Sequence, residues 1–189
     1  MRDVIVLPDP VAVADAASQR LASFLLEAQS LHSPVHVALT GGATGIAVLE
    51  RLRPNPLLGA ISWPDVHFWW GDERFVDAWS PDRNDLAARR ALLDHLPEAP
   101  GGIHAMPSSD LGLSLDEAAA RYSGELRHFN VVFDLVLLGV GPDGHVASIF
   151  PGRGGGAALA APAAIARPAT PQPPPARGSQ TRAPLNPAP

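Results

Sequence analysis

Asp143 and His145 stand on either side of Gly144, directly after the apolar run Val131 to Leu138. A carboxylate beside an imidazole is a pairing suited to moving protons. Histidine ordinarily titrates near about 6.5, so His145 can take a proton from water around neutral pH, a role typically worth about 10²- to 10⁴-fold in rate. Asp143 can orient the ring and favour its protonated form. Gly139, Gly141 and Gly144 suit the tight turn that would present both side chains, and their backbone N–H groups can face a developing oxyanion. The same residues also suit a plain strand-to-helix turn in which Asp143 or Ser148 caps the next helix.

Thr40-Gly41-Gly42-Ala43-Thr44 follows the apolar segment Val35 to Leu39 and precedes a helical stretch from Gly45 to Arg53. Bare glycines and hydroxyls at a helix start form an anion cradle: backbone N–H groups face the ligand and the helix dipole favours negative charge. Neither the P-loop pattern nor the dinucleotide glycine pattern is present. The alternative is an ordinary turn with Thr44 as N-cap. A third segment, Val66 to Val76, carries Asp72, Glu73 and Arg74 after a strand-like run. The rigid guanidinium fork of Arg74 matches phosphate or carboxylate oxygens; alternatively, Arg74 pairs locally with Asp72 or Glu73. Asn84 reads as a cap for the helix running to about Leu96.

Three strand ends are therefore expected to converge. The elements predict an α/β fold with an open, mostly parallel sheet and helices on both faces, whose ligands bind outside the carboxyl ends of the strands. The run at 131–138 reads as a strand covered on both faces, and Met1 to Leu7 as a first strand. Leu115, Ala118, Ala119, Tyr122, Leu126 and Phe129 recur at helical spacing, predicting a packing helix from about Leu115 to Phe129. His32 and His36 have the spacing of a zinc pair, but Pro34 between them opposes a shared helical face. His67 falls in a strand, His95 and His128 fall near helix ends, and His104 suggests no site.

With 189 residues and 46% hydrophobic content, the chain can build one sizeable core. It has no cysteine, which excludes disulfide and thiol chemistry. Residues 1–150 hold all 19 acidic residues against 10 arginines, a net −9, while 151–189 carry four arginines and no acid. An acidic body argues against general nucleic-acid binding, and attraction of an anionic ligand must be local. No apolar run reaches the length of a membrane span, so a cytoplasmic location is expected.

Leu39-Thr-Gly-Gly-Ala-Thr44, Trp70-Gly-Asp-Glu-Arg-Phe-Val76 with Asn84 downstream, and Asp134 to Pro151 with its Asp-Gly-His turn resemble the 6-phosphogluconolactonase family in order and spacing. The likeness covers about the first 150 residues. It implies a fold of the sugar-phosphate isomerase type and hydrolysis of 6-phospho-D-glucono-1,5-lactone to 6-phosphogluconate, a step of the oxidative pentose phosphate pathway. That reaction needs an activated water, a place for the oxyanion and a proton for the leaving ring oxygen, with no metal or redox cofactor. Related aminosugar-phosphate deaminases usually continue their Asp-Gly-His turn towards Phe-Asn-Glu, whereas His145 is followed here by Val-Ala-Ser-Ile-Phe. The implied roles are His145 as base, Asp143 as its orienter, and Thr40 to Thr44, Asp72, Arg74, Gly141 and Gly144 as substrate contacts. A catalytically impaired remnant that only binds sugar phosphates is the alternative, with an aminosugar-phosphate isomerase or deaminase behind it.

Residues 1–150 are thus expected to form a lactonase-like domain and 151–189 an Ala/Pro/Gly-rich disordered tail. Within the tail, Thr170 to Asn186 resembles an altered copy of a family segment, Ser-Pro-Lys-Pro-Pro-Pro-x-Arg-Val-Ser-Leu-Thr. The family lysine falls on Gln172, Gly178 and Gln180 replace apolar residues and so weaken the strand signal, and Arg177 is retained as a phosphate-ligand candidate. Family members continue for roughly another third of their length, so the C-terminal part of the fold is expected to be missing.

Overall fold

The structure, a computed structural model, describes residues 3–150 and the strand segments 166–169 and 177–180. Helix α1 (Pro10–Leu31) starts at a clear signal: Asp9 accepts the Ala12 N–H at 2.8 Å, and Pro10 occupies the first turn, where its missing N–H costs nothing. Helix α4 (Leu115–His128) carries a capping box between Ser114 and Glu117, placing the predicted helix within a residue of its expected ends. Its Ala118, Ala119, Tyr122 and Leu126 are buried.

Strands β1 (Val35–Leu39), β2 (Val66–Trp70), β4 (Gly102–Ile103) and β5 (Leu135–Val136) form a parallel sheet in the order β4-β2-β1-β5. In register, Val35 faces Val66 and Leu39 faces Trp70. Every residue of β1 is buried, so both faces of the sheet centre are covered. On one face, His36, His67 and Trp69 lie beneath Tyr122 and Phe129 at the α4 end. The alternate residues Val35, Val37 and Leu39 join Leu21 and Leu25 of α1 and Leu49 and Leu52 of α2 (Gly42–Leu52) in the core. Trp63, Trp69 and Trp70 are its largest fully buried side chains.

Two expectations need correction. Residues 3–7 form no strand, and Val4 and Val6 are each 88% exposed. β-Branched residues make a strand only where a ladder partner is available, and among the described residues none pairs with them. The run at 131–138 yields only the two-residue β5 at the edge of the parallel sheet, with Val132 and Leu138 exposed.

A second sheet has the order β3-β7-β6 and is antiparallel, combining β3 (Asp72–Arg74), β7 (Arg177–Gln180) and β6 (Ala166–Ala169). These strands lie where no strand is expected from the side chains. The reason is backbone pairing: β3 offers a ladder edge that Gly178 and Ser179 can join whatever their hydrophobicity, with Asp72 opposite Ser179 and Arg74 opposite Arg177. Gln172 and the proline run 171–175 lie outside the described residues. Among the described residues, no helix is long and apolar enough to cross a membrane.

Candidate active site

The chain order of the parallel sheet reverses at β1, with β2 and β4 on one side and β5 on the other. The crevice beyond the carboxyl ends of β1 and β5 is therefore the topological switch point, where open α/β sheets take their ligands. A cavity of about 390 Å³ opens there. Its lining brings together Thr40 to Gly45 after β1, Asp72 and Arg74 of β3, Asn84 of α3 (Asn84–Ala91), and Gly141, His145 and Ala147 after β5. Of the residues named from sequence, Asp143 and Gly144 are not among those lining it. Arg177 is placed by register opposite Arg74.

The cradle differs in one respect from its expected form. Helix α2 begins at Gly42, with Gly41 as cap, so Ala43 and Thr44 belong to its first turn and Thr44 is not the cap. The open N–H groups of that turn, carrying the positive end of the helix dipole, thus border the cavity itself. Gly41 must lack a side chain, because a Cβ there would lie 1.9 Å from Asn84 Oδ1.

Asn84 is not a helix cap either. Its Nδ2 donates to the Asp72 carbonyl at 2.9 Å, tying the start of α3 to the start of β3. The local ion pair considered for Arg74 is replaced by a different one. Glu73, 1% exposed, accepts the backbone N–H groups of Arg74, Asn84 and Asp85, each at 2.8 Å. Its charge is opposed by Arg83, 3.7 Å away, which also donates to Asp85 at 2.8 Å and to the Met106 carbonyl at 2.7 Å. Burial pushes the Glu73 carboxyl up to about 7, against the pull of Arg83 and the three N–H donors. Among the described residues the Arg74 guanidinium makes one hydrogen bond, to the Asp82 carbonyl at 3.3 Å, and its buried Nε has no partner. An unspent donor on a cavity-lining guanidinium suits an anionic ligand.

On the opposite wall, His145 Nδ1 and Asp143 Oδ1 are hydrogen-bonded, and the same oxygen accepts the His145 backbone N–H at 3.2 Å. These bonds, the side-chain one foremost, hold the Asp143 carboxyl below the usual carboxylate range. An ionised carboxylate only accepts, so Nδ1 carries the proton and Nε2 is left with its lone pair. Gly141 makes room for the ring: a Cβ there would meet His145 Cε1 at 2.1 Å. The turn closes through Gly141 N–H to the His145 carbonyl at 2.8 Å and Gly144 N–H to the Gly141 carbonyl at 2.9 Å.

A model described as glucosamine-6-phosphate isomerases/6-phosphogluconolactonase matches residues 8–189. The chain belongs to this family. Among curated family members it is 42% identical over 158 residues to the 6-phosphogluconolactonase of Streptomyces coelicolor, covering 78% of this chain and 60% of that protein. To the 6-phosphogluconolactonase of Mycobacterium tuberculosis it is 38% identical over 154 residues, covering 77% and 62%. The chain thus spans about three-fifths of the length of these relatives. Among solved family structures, the 6-phosphogluconolactonase of Trypanosoma cruzi superposes with a TM-score of 0.81 at 26% identity, covering 97% of this chain and 75% of that one. That of Thermotoga maritima gives 0.80 at 27% identity, covering 95% and 77%.

Three site features escape sequence reasoning. Ser148, 5% exposed, donates to Asp72 Oδ2 at 2.9 Å, a contact between residues 76 apart in the chain. Ala147, a cavity-lining residue that is not glycine, has φ 52. Neither residue type signals this on its own, since a serine or alanine in a turn is ordinary. Arg83 was missed because its partners Glu73 and Met106 lie on other segments.

Proposed function

We propose that this protein hydrolyses 6-phospho-D-glucono-1,5-lactone to 6-phosphogluconate. The observation that carries the reading is one cavity with a basic nitrogen on one wall and an anion cradle on the other: His145 faces a space also lined by the first turn of α2 and by Arg74. The sequence after His145 favours a lactonase over an aminosugar-phosphate isomerase, and the relatives named above are called lactonases.

In this reading the phosphate binds the Thr40 to Thr44 N–H groups and Arg74, remote from the carbonyl, and positions the lactone ring. His145 Nε2 takes a proton from water as the water oxygen attacks the carbonyl carbon. The carbonyl oxygen becomes an oxyanion; since the Gly141, Gly144 and His145 N–H groups are engaged within the turn, other backbone N–H groups at the cavity must stabilise it. Collapse of this intermediate breaks the bond to the ring oxygen, and His145 returns its proton to that leaving oxygen. Asp143 keeps the ring in the required tautomer and steadies the imidazolium. The carboxylic acid so formed loses its proton to solvent, giving 6-phosphogluconate, and the reaction has no redox step. A cytoplasmic location fits a phosphorylated substrate, which does not cross a bilayer unaided.

Turnover of freshly generated 6-phosphogluconolactone, corrected for spontaneous hydrolysis, tests the reading. His145→Ala should lower kcat by about 10²- to 10⁴-fold, and Arg74→Ala should weaken 6-phosphogluconate binding. Turnover unchanged in His145→Ala would refute the base; saturable, Arg74-dependent binding with no turnover in the wild type would mean a sugar-phosphate binder.

A further inference from the structure

We propose that Ser148 is a positioning residue for His145, acting through its buried hydrogen bond to Asp72. The inference rests on the lactonase reading, in which the distance from His145 to the phosphate cradle matters.

The bonds within the His145 turn are local. Gly141 to His145, Gly144 to Gly141 and the Val146 and Ile149 pair all join residues of the same short segment. Such bonds shape the turn but do not set where it stands relative to the cradle on α2 and the arginine on β3. Upstream, Leu137 N–H bonds the Ala38 carbonyl at 2.9 Å, and beyond that residue the chain has left the parallel ladder. Ser148 supplies a tie on the far side of the histidine. Its Oγ donates to Asp72 Oδ2 at 2.9 Å, with both residues nearly inaccessible. Asp72 is itself anchored: its carbonyl holds Asn84, whose amide lies over Gly41 in the cradle, and its backbone is laddered to β7. Through Asp72, the histidine turn, the arginine strand and the cradle form one framework.

The backbone between His145 and Ser148 is a tight turn closed by the Val146 and Ile149 pair. Ala147 sits at φ 52, in the left-handed region that alanine avoids. A strained residue of this kind persists only where its surroundings over-determine it. Around it stand the Val146 and Ile149 pair that closes the turn, the His145 carbonyl, held by Gly141, and the Ser148 hydroxyl, held by Asp72. With the hydroxyl removed, the turn keeps its own bonds but loses this tie to Asp72, and His145 can shift with the turn relative to the cradle.

The test uses the whole chain with Ser148→Ala and Ser148→Thr, the second of which keeps the hydroxyl. Four quantities are read: thermal melting, affinity for 6-phosphogluconate, kcat with KM on the lactone, and the His145 Cε1–H resonance, assigned by its absence in His145→Ala. Ser148→Ala should fold and bind 6-phosphogluconate within about threefold of wild type, yet lose about 10- to 100-fold in kcat, as expected for displacement of a reacting group by about 1 Å. Its His145 resonance should shift or broaden, and Ser148→Thr should restore both. Wild-type kcat within twofold and an unmoved resonance in Ser148→Ala would overturn the proposal, as would Ser148→Thr being as impaired as Ser148→Ala. If Ser148→Ala does not fold, Ser148→Cys keeps the volume, weakens the donor and faces the same outcomes. If the wild type shows no His145-dependent turnover, the lactonase reading fails by itself. The resonance then decides the positioning role: moved in Ser148→Ala and restored in Ser148→Thr upholds it, and unmoved overturns it.

Discussion

Lowering the pH from 7.5 to 5 should destabilise the wild-type fold relative to a His36→Asn variant by about 2 kcal/mol, with the loss centred on a buried imidazole in β1. His36 is 8% exposed and accepts the Trp69 indole N–H at 3.1 Å through Nδ1, a bond that needs an unprotonated nitrogen. Burial, then the neighbouring His67 ring at 5.1 Å, lowers its pKa to about 4; His104 and His32 add to the lowering, and Asp134 opposes it. A pKa lowered in the folded state means that the unfolded chain binds the extra proton. Stability is therefore complete above about pH 6.5 and is lost as the pH falls from there towards 4. Evaluated between pH 7.5 and 5, that linkage gives about 2 kcal/mol, or about 4–8 °C in melting temperature for a chain of this size. The raw pH profile would conceal it. Glu73, pushed up to about 7, takes a proton in the folded state before the unfolded chain does, and so contributes in the opposite sense over the same window. Comparison with His36→Asn removes that term, because Glu73 is present in both proteins, while the asparagine oxygen can still accept from Trp69. Urea unfolding of both proteins at several pH values is the assay. Parallel profiles, differing in slope by less than about 0.5 kcal/mol over the range, would show that His36 is not held neutral by the fold.

Gly141→Ala places a methyl where His145 Cε1 now lies 2.1 Å away, so kcat on the lactone should fall by about 10²-fold while 6-phosphogluconate binding is largely retained. Gly41→Ala collides with Asn84 Oδ1 and should break its bond to the Asp72 carbonyl; 6-phosphogluconate affinity measured by calorimetry should drop about tenfold, the loss of roughly one hydrogen bond. Arg83→Ala leaves Glu73 and Asp85 without their shared cation in a buried setting, and urea unfolding at pH 7.5 should register a loss of about 3–5 kcal/mol. A loss under about 1 kcal/mol would mean that the Glu73 N–H donors alone suffice.

Signals confined to one short segment read through to the structure. Thr40 to Thr44 and Gly141 to His145 are each a strand end followed by glycines, and glycine's bareness is what the geometry needs, since Gly41 and Gly141 each have a side chain pressed against the place of a Cβ. The capping box at Ser114 and Glu117 is equally local. What was lost depends on partners distant in the chain. Met1 to Leu7 has strand composition, but its described part, residues 3–7, has no ladder partner among the described residues. Asn84 has cap composition, yet its amide bonds Asp72, twelve residues away. His104, which suggested no site, is stacked on Trp69 with ring centroids 3.7 Å apart and bridges Glu125 and His67 at 2.6 and 2.9 Å. Its role is to bind α4 to the sheet, and nothing near it in sequence names those partners.

The acidity of residues 1–150 makes the arrangement of charge at the cavity consequential. An anion meets a body carrying nine more negative than positive side chains, so long-range attraction works against it and the site must hold it by contact. Two of those acids stand at or beside the cavity, and both are engaged. Asp143 is bound to the His145 ring and backbone, and Asp72 accepts the Ser148 hydroxyl. A third, Glu73, lies beneath Arg74 and takes up three N–H donors beside Arg83. Arg83 therefore serves the buried acids, which leaves Arg74 and the first turn of α2 to line the cavity. One arginine is buried to steady the carboxylates while another keeps a donor unspent, and in the proposed reading this division of labour would give a negatively charged protein a local site for an anion.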